Sequence, residues 1–539
     1  MTNFKKTTLF IFYLCSSSFL GFTQNVVEKL PELKTNFNWH NLEANPNGIM
    51  GIGTEKAYNE LLKNKKSTPV IVAVIDSGVE IDHLELAGKV WVNNNEIANN
   101  GIDDDKNGYV DDIYGWDFLG NKNGEDLESE TLELTRELLK YQRLIELIDP
   151  LNAAKQEKEW IEYYKELKDK HQKKKKELED QGGRFYIQLH DKYFTAKKLL
   201  QNEFKTEEIT PEILAKITLI SNEDLQQAKK MFEVLDEVNL NEARLAEAYE
   251  YFNGQLNFGL NEDYNGRAEI VGDNLADLSE KGYGNNEVEG PNAYHGTHVA
   301  GIIAANRNNN LGVNGIADNV KIMTLRAVPN GDERDKDIAN AIRYAVDNGA
   351  QIVNMSFGKG YSPEKEYVDE ALKYAEAKNV LLIHAAGNDN LDLDIEKSYP
   401  NKYYKSGGEC KTWLDIGASS YQSGQEFAAE FSNYGKKSVD LFAPGVAIYS
   451  LGINGKYREM DGTSMASPVV TGVAALLKSY FPKLTAIQLK NILLESSTKI
   501  GNKDVYIPGK TITTHFKNLS STGGIVNAYN AIKMAESMN

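Results

Sequence analysis

Ser464, His295 and Asp76 are of the three types that together can break an acyl bond. Ser464 lies in Asp461-Gly462-Thr463-Ser464-Met465-Ala466-Ser467-Pro468, a run of mostly small residues that leads into Val469–Leu477. That second stretch is apolar nearly all round and rich in Ala and Gly, and it reads as a buried helix. Ser464 then stands at the helix N-terminus, where unpaired N–H groups and the positive end of the dipole gather. A hydroxyl there can attack a carbonyl while nearby N–H groups receive the developing negative oxygen. Taken alone, an N-capping serine would look the same. A serine nucleophile needs a base, and neutral imidazole can take its proton near pH 7. The imidazole in turn needs a carboxylate to fix its tautomer and stabilise its charged form. Asn388 can offer a side-chain N–H to the oxyanion beside the backbone N–H of Ser464.

The flanking residues say which elements carry these groups. Pro69–Ile75 is a short β-branched run, as expected of a strand buried on both faces of a parallel sheet. It delivers Asp76 to the strand's C-terminal end, where open α/β sheets place their sites. Tyr294–Ala305 is a small-residue helix with His295 near its start. Further strands are expected at Val320–Val328, Gln351–Met355, Val380–Ala386, Trp413–Ala418 and Val439–Phe442. Helices are expected at Asp337–Asn348, Glu364–Ala377, Thr485–Glu495 and Val526–Ser537. This alternation predicts an α/β fold, a mainly parallel sheet covered on both faces.

Composition changes between these parts. Residues 123–271 are rich in Glu, Lys, Leu and Tyr. Trp160, Tyr164, Leu167 and His171 share one helical face, and Thr210-Pro211-Glu212 starts a helix with Pro at its first position. Ser221 to Asp224 reads as a capping pattern, and Lys173–Lys176 as a solvated face. The segment reads as an α-helical insertion that selects substrate or holds a partner protein. The expected layout is a secretory signal peptide at 1–23, a first catalytic part at 24–122, the insertion at 123–271, and the rest of the catalytic domain at 272–539.

Between the first strand and the insertion lies Ile102-Asp103-Asp104-Asp105-Lys106-Asn107-Gly108-Tyr109-Val110-Asp111. Asp103, Asp105, Asn107 and Asp111 offer hard oxygens at calcium-loop spacing, with Gly108 at the turn. Position twelve is Tyr114 rather than Glu, so the loop is no EF-hand. Structural calcium is one reading, and a solvated acidic turn fits the same residues.

With 60 basic and 78 acidic residues, the chain carries a formal charge of -18, which argues against nucleic acid or an anionic membrane as partner. Lys5 and Lys6 precede an apolar run at Leu9–Phe22, too short to span a bilayer, with small Gly21 and Thr23 where a signal peptidase would cut. The protein is therefore expected to be exported, secreted or periplasmic, with no membrane span. Cleavage would remove Cys15 and leave Cys410 alone, so stability must come from packing or metals.

Four segments carry a specific resemblance: Val74-Ile75-Asp76-Ser77-Gly78, His295-Gly296-Thr297-His298-Val299-Ala300-Gly301, Ala385-Ala386-Gly387-Asn388 and Gly462-Thr463-Ser464-Met465-Ala466-Ser467-Pro468. In this order they resemble the signatures of subtilisin-like serine proteases. The resemblance covers about 40–120 and 285–539. It implies a subtilisin-like three-layer fold and hydrolysis of polypeptide substrates through an acyl-enzyme. Asp76 would orient, His295 act as base, Ser464 attack and Asn388 hold the oxyanion. His298, one helical turn on, would pack. It also implies that Ser356, Phe357 and Gly358 pair with substrate and wall the specificity pocket. Ser398 would stand at the pocket's base, leaving room for a large side chain. Glu85 and the 306–313 loop match a calcium region of the family.

Two departures stand out. Asp76 and His295 are separated by 295 − 76 = 219 positions, because the insertion lies between them. Fewer than fifty residues lie between the expected signal cut and the first catalytic strand, too few for the family's usual pro-domain. A lipase is disfavoured, since no Gly-x-Ser-x-Gly elbow surrounds Ser464. A binding protein that keeps the fold and uses the insertion as its grip is the competing class.

Overall fold

The computed structural model describes residues 37–538 apart from 46, 47, 150, 238, 239 and 308. The expected signal segment, 1–23, lies outside the described residues. The chain divides into two compact units, one of residues 134–264 and one of the described residues on either side.

The larger unit is built on a sheet of nine strands. In chain order its strands and helices are β1 (Val70–Asp76), β2 (Gly115–Asp117), α1 (Tyr294–Ala304), β3 (Val320–Arg326), α2 (Asp335–Asp347), β4 (Ile352–Met355), α3 (Lys365–Ala377), β5 (Leu381–Ala385), β6 (Trp413–Ser419), β7 (Leu441–Pro444), β8 (Ile448–Leu451), β9 (Tyr457–Met460), α4 (Thr463–Tyr480), α5 (Ala486–Glu495), β10 (Thr498–Lys499), β11 (Asp504–Tyr506), β12 (Thr513–His515), β13 (Gly524–Ile525) and α6 (Ala528–Met538). The sheet order is β10-β13-β7-β6-β5-β4-β1-β3-β2. Every pairing is parallel except β10 with β13 at one edge. β8 and β9 form a separate hairpin, as do β11 and β12.

The β-branched run of β1 explains the layering. Ala73 and Ile75 join a buried cluster with Ile338 and Ile342 of α2 and Leu372 of α3. Val72 and Val74 alternate with them, so they point to the opposite face. They are equally buried, on the side where α1 and α4 contact β1. Burying each such side chain contributes about 1.5–3 kcal/mol, so a one-residue slip would misplace both faces at once. Helices therefore cover both faces of the sheet, as the alternation predicted. α5 starts where the sequence expects: Thr485 accepts from Gln488 N at 3.2 Å, and the Gln488 side chain accepts from Thr485 N at 2.9 Å.

Two buried charge clusters mark where the chain leaves this unit and returns. Lys359 Nζ binds Glu133 at 2.8 Å and Asp335 at 2.9 Å. Arg267 donates twice to Asp337, at 2.6 and 2.8 Å, and once to Asp273 at 2.8 Å.

The 134–264 unit is helical, with helices at Lys155–Asp180, Gly183–Phe204, Pro211–Ile217, Glu223–Glu237 and Glu242–Asn253. It has apolar clusters of its own. Ala196, Leu200, Ile217, Leu225 and Ala228 form one, and Leu189, Tyr193, Leu235 and Leu245 another. Leu167 and His171 are buried on the face the sequence indicated, while Trp160 and Tyr164 are half-buried. Pro211 takes the first helical position. The next helix is capped by Asn222, whose side chain accepts from Leu225 N at 3.2 Å, rather than by Ser221. No helix among the described residues is long and apolar enough to cross a membrane.

Candidate active site

The parallel strands deliver their C-terminal ends to one edge. β1 has β3 on one side and β4 on the other, so the strand order reverses there, and open α/β sheets place their crevice at such a point. Asp76 ends β1, Ser356 follows β4, and Asn388 follows β5. α1 brings His295 to this edge. His295 Nδ1 lies 2.6 Å from Asp76 Oδ1, and that oxygen also accepts from Ser77 N at 2.8 Å. A carboxylate only accepts, so the proton sits on Nδ1 and Nε2 is left as the basic nitrogen. Burial pulls the imidazole's pKa down, but the charge and hydrogen bond of Asp76 outweigh it, and the net shift is upward. Gly296 permits this approach. A Cβ there would lie 2.1 Å from Gly78 O.

Ser464 is the second residue of α4, and its hydroxyl donates to Ser356 O at 3.1 Å. Pro468 lies one turn on. It has no N–H, so the carbonyl of Ser464 loses its usual i+4 donor. Ser356 Oγ donates to that carbonyl instead, at 3.0 Å. Asn354 ties the same elements together, accepting from Ser467 and Thr471 of α4 at 3.0 and 2.8 Å.

The Asn388 amide oxygen accepts from Thr463 N at 2.9 Å and from Thr463 Oγ at 2.8 Å. Its Nδ2 is thereby turned away from Thr463 and stays free to donate. The Thr463 hydroxyl also accepts from Gly387 N at 3.0 Å, which anchors the loop. Motif reading did not single out Thr463, although its place directly before the serine was the available signal. His298 points elsewhere in its contacts. Its Nε2 lies 3.1 Å from Ile448 O and 3.0 Å from Arg458 O, so it holds the β8–β9 hairpin. Burial, first, brings its pKa down to about 3.

Ser356, Phe357 and Gly358 run out from β4. Lys359 and Tyr399 exchange backbone hydrogen bonds at 2.8 and 2.9 Å, which sets Ser398 beside Gly358. A Cβ on Gly358 would lie 3.4 Å from Ser398 Oγ and 3.8 Å from His384 Nε2. The sequence placed His384 inside a strand and gave it no role.

In the acidic loop, Glu96, Asp105 and Asp112 each bring an oxygen within 4.8 Å of the others. Of the residues proposed from spacing, Asp105 belongs to this trio. Asn107 adjoins it, donating to Asp105 at 3.2 Å and Asp112 at 2.9 Å. Asp103 instead accepts from the main chain of Asn107 and Gly108. Asp111 accepts from the main chain of Asn100 and Gly101. Three converging carboxylates fit a hard cation such as calcium. Burial, opposed by hydrogen bonds from Tyr344, Asn107 and Asn93, lifts the Asp112 pKa to about 6. Glu85, by contrast, has its oxygens taken by Val313 N, Tyr457 and Asn309.

An Asp–His pair and a helix-end serine at the carboxyl edge of a parallel sheet are the equipment of a serine hydrolase. Residues 67–510 match the subtilase family, peptidase S8, and the chain belongs to that family. It is 37% identical over 240 residues to the thermophilic serine proteinase of Bacillus sp. (strain AK1), which covers 44% of this chain and 52% of that protein. It is 35% identical over 219 residues to subtilisin DY of Bacillus licheniformis, covering 40% of this chain and 74% of the relative. It is 37% identical over 239 residues to the cell wall-associated protease of Bacillus subtilis (strain 168), covering 44% of this chain and 25% of that protein. The chain thus spans about half the length of the first of these relatives. The fold is subtilisin-like, with a mainly parallel sheet between helical layers.

Proposed function

We propose that the chain is an exported serine endopeptidase that hydrolyses polypeptides through an acyl-enzyme on Ser464. The 2.6 Å contact of His295 with Asp76, at the edge where Ser464 opens α4, carries this reading. Rotation about one side-chain dihedral frees the Ser464 hydroxyl from Ser356 O. His295 Nε2 takes its proton as Oγ attacks the scissile carbonyl. Asn388 Nδ2 and the Ser464 N–H stabilise the negative oxygen, and Asp76 stabilises the imidazolium. His295 then protonates the leaving amine and the acyl-enzyme forms. Water, deprotonated by His295, attacks the ester, and the acid departs as Oγ regains its proton.

Ser356–Gly358 pair with extended substrate, and Ser398 closes the specificity pocket. The Glu96–Asp105–Asp112 loop holds calcium in a structural role, outside the chemistry. Export accords with the basic, then apolar, start of the chain and with a relative whose name places it at the cell wall. The helical unit selects substrates or a partner protein.

A fluorophosphonate probe, with Ser464→Ala as control, tests the core of this. The probe should label Ser464, and Ser464→Ala should lose activity on the order of 10^6-fold while keeping its fold. A folded protein that neither labels nor cleaves peptides would instead be a binding protein on this scaffold.

A further inference from the structure

Lys359 directly follows Gly358, yet its side chain is 1% exposed, a rare place for an ammonium group. Its Nζ donates to Glu133 Oε2 at 2.8 Å and to the Glu333 carbonyl at 2.7 Å, and it pairs with Asp335 Oδ1 at 2.9 Å. The other Asp335 oxygen accepts from the Ser362 hydroxyl at 2.9 Å and from Glu364 N at 2.8 Å. Residue 133, the start of α2 and the approach to α3 thus meet at one charge. The main chain of Lys359 also exchanges hydrogen bonds with Tyr399, at 2.8 and 2.9 Å.

Stability alone does not call for this arrangement. Desolvating an ammonium and two carboxylates is costly, and well-packed apolar side chains often serve as well. A buried charge with fixed partners supplies something else, a single geometry. That geometry is imposed at one end of Ser356–Gly358. At the other end Ser356 Oγ donates to the Ser464 carbonyl at 3.0 Å. The three residues are therefore held between two anchors, one on the helix that carries Ser464 and the other on Lys359. Gly358 has no side chain to brace it, so its course depends on the residue that follows.

We propose that Lys359 is a positioning residue for extended substrates. Its buried ammonium fixes the course of Ser356–Gly358, so that their main chain meets a peptide in register with Ser464. This rests on the peptidase reading and on the pairing of Ser356–Gly358 with substrate. A long peptide uses the whole stretch, whereas a single-residue ester needs little beyond the catalytic groups. A misplacement of about 1 Å, arising away from the reacting bond, can cost about a hundredfold in rate.

The test compares a tetrapeptide ester with the ester of its last residue alone, carrying the same leaving group, at pH 8 with the full chain. The ratio of their kcat/KM values does not depend on the fraction of protein that is folded, so a merely structural role would leave it unmoved. In Lys359→Met, which keeps the length and removes the charge, the ratio should fall about tenfold or more. Lys359→Arg, which keeps charge and donors, should restore most of it. Glu133→Ala takes away one acceptor and should lower the ratio about threefold, and it serves where Lys359→Met does not fold. A ratio that stays unchanged in these variants overturns the proposal and leaves the peptidase reading standing. A ratio near one in the unaltered protein also overturns it, because extension of the substrate would then gain nothing from pairing. No cleavage of either ester by folded protein that the fluorophosphonate does not label would overturn both readings.

Discussion

His295 Nδ1 sits 2.6 Å from Asp76 Oδ1, a contact that bridges 219 positions of chain. The imidazole must be neutral to act as base, and Asp76 holds its pKa above the ordinary 6.5. Activity should therefore fall as pH drops through a value above 6.5, not below it. Asp76→Asn removes the charge that raises the pKa. The acid limb should move to lower pH, and kcat should drop on the order of 10^4-fold through the wrong tautomer. A pH–rate profile of both proteins checks this, and an unmoved limb in the variant would contradict it.

Asn388 is oriented by Thr463, not by a neighbour on its own loop. Asn388→Ala should lower kcat about 10^2–10^3-fold with little change in KM, since the bond forms with the developing oxyanion. Thr463→Val removes one hydroxyl that both donates to Asn388 and accepts from Gly387. Its loss should be smaller, about fivefold to tenfold, again in kcat. An effect confined to KM would place neither residue at the oxyanion.

Calcium at the Glu96–Asp105–Asp112 trio should be visible in stability. A cation that binds only the folded state stabilises it by about 2.7 kcal/mol at a hundred times Kd, so the melting temperature rises with its concentration. Chelation should lower Tm, and Asp112→Asn or Glu96→Gln should abolish the calcium response. Asp103→Asn should retain it, because Asp103 lies outside the three carboxylates that converge. The reverse result, read by calorimetry with and without calcium, would move the site to the residues that spacing alone suggested.

The helical unit contributes no group to the proposed chemistry. Replacing 134–264 with a short Gly/Ser linker should preserve cleavage of small peptide esters and change the ranking of protein substrates. Closing long inserts costs little, about 0.6 kcal/mol per doubling of length, so the deletion has no large entropic obstacle. An unchanged ranking in a well-folded deletion would remove the selector role.

Much of the sheet was legible because each central strand is a short apolar run with a glycine or polar break after it. Val70–Ile75 and Leu381–Ala385 are buried on both faces, and residues with that burden leave a plain trace. The catalytic segments were legible because strand and helix ends need small residues there, and Gly296 shows why. The β8–β9 hairpin was not read, since four-residue strands carry little periodicity, β8 being mostly buried and β9 half-exposed. The acidic loop shows a different limit. Spacing finds oxygens, but which of them converge depends on how the chain folds back, and Glu96 comes from outside the spaced run.

Glu133 with Lys359, and Arg267 with Asp337, pin the chain within the catalytic unit on either side of the helical segment. A pinned junction limits how far disorder can spread. The helices can fray, open to proteases or melt early, and the fluctuation stops at two buried charge clusters that are expensive to break, about 3–5 kcal/mol for each lost partner. Unfolding should then proceed in two steps, with the helical segment as the weaker cooperative unit and the sheet as the stronger. Such a chain can exchange the segment between its pins during evolution without retuning the hydrogen bonds at its catalytic edge.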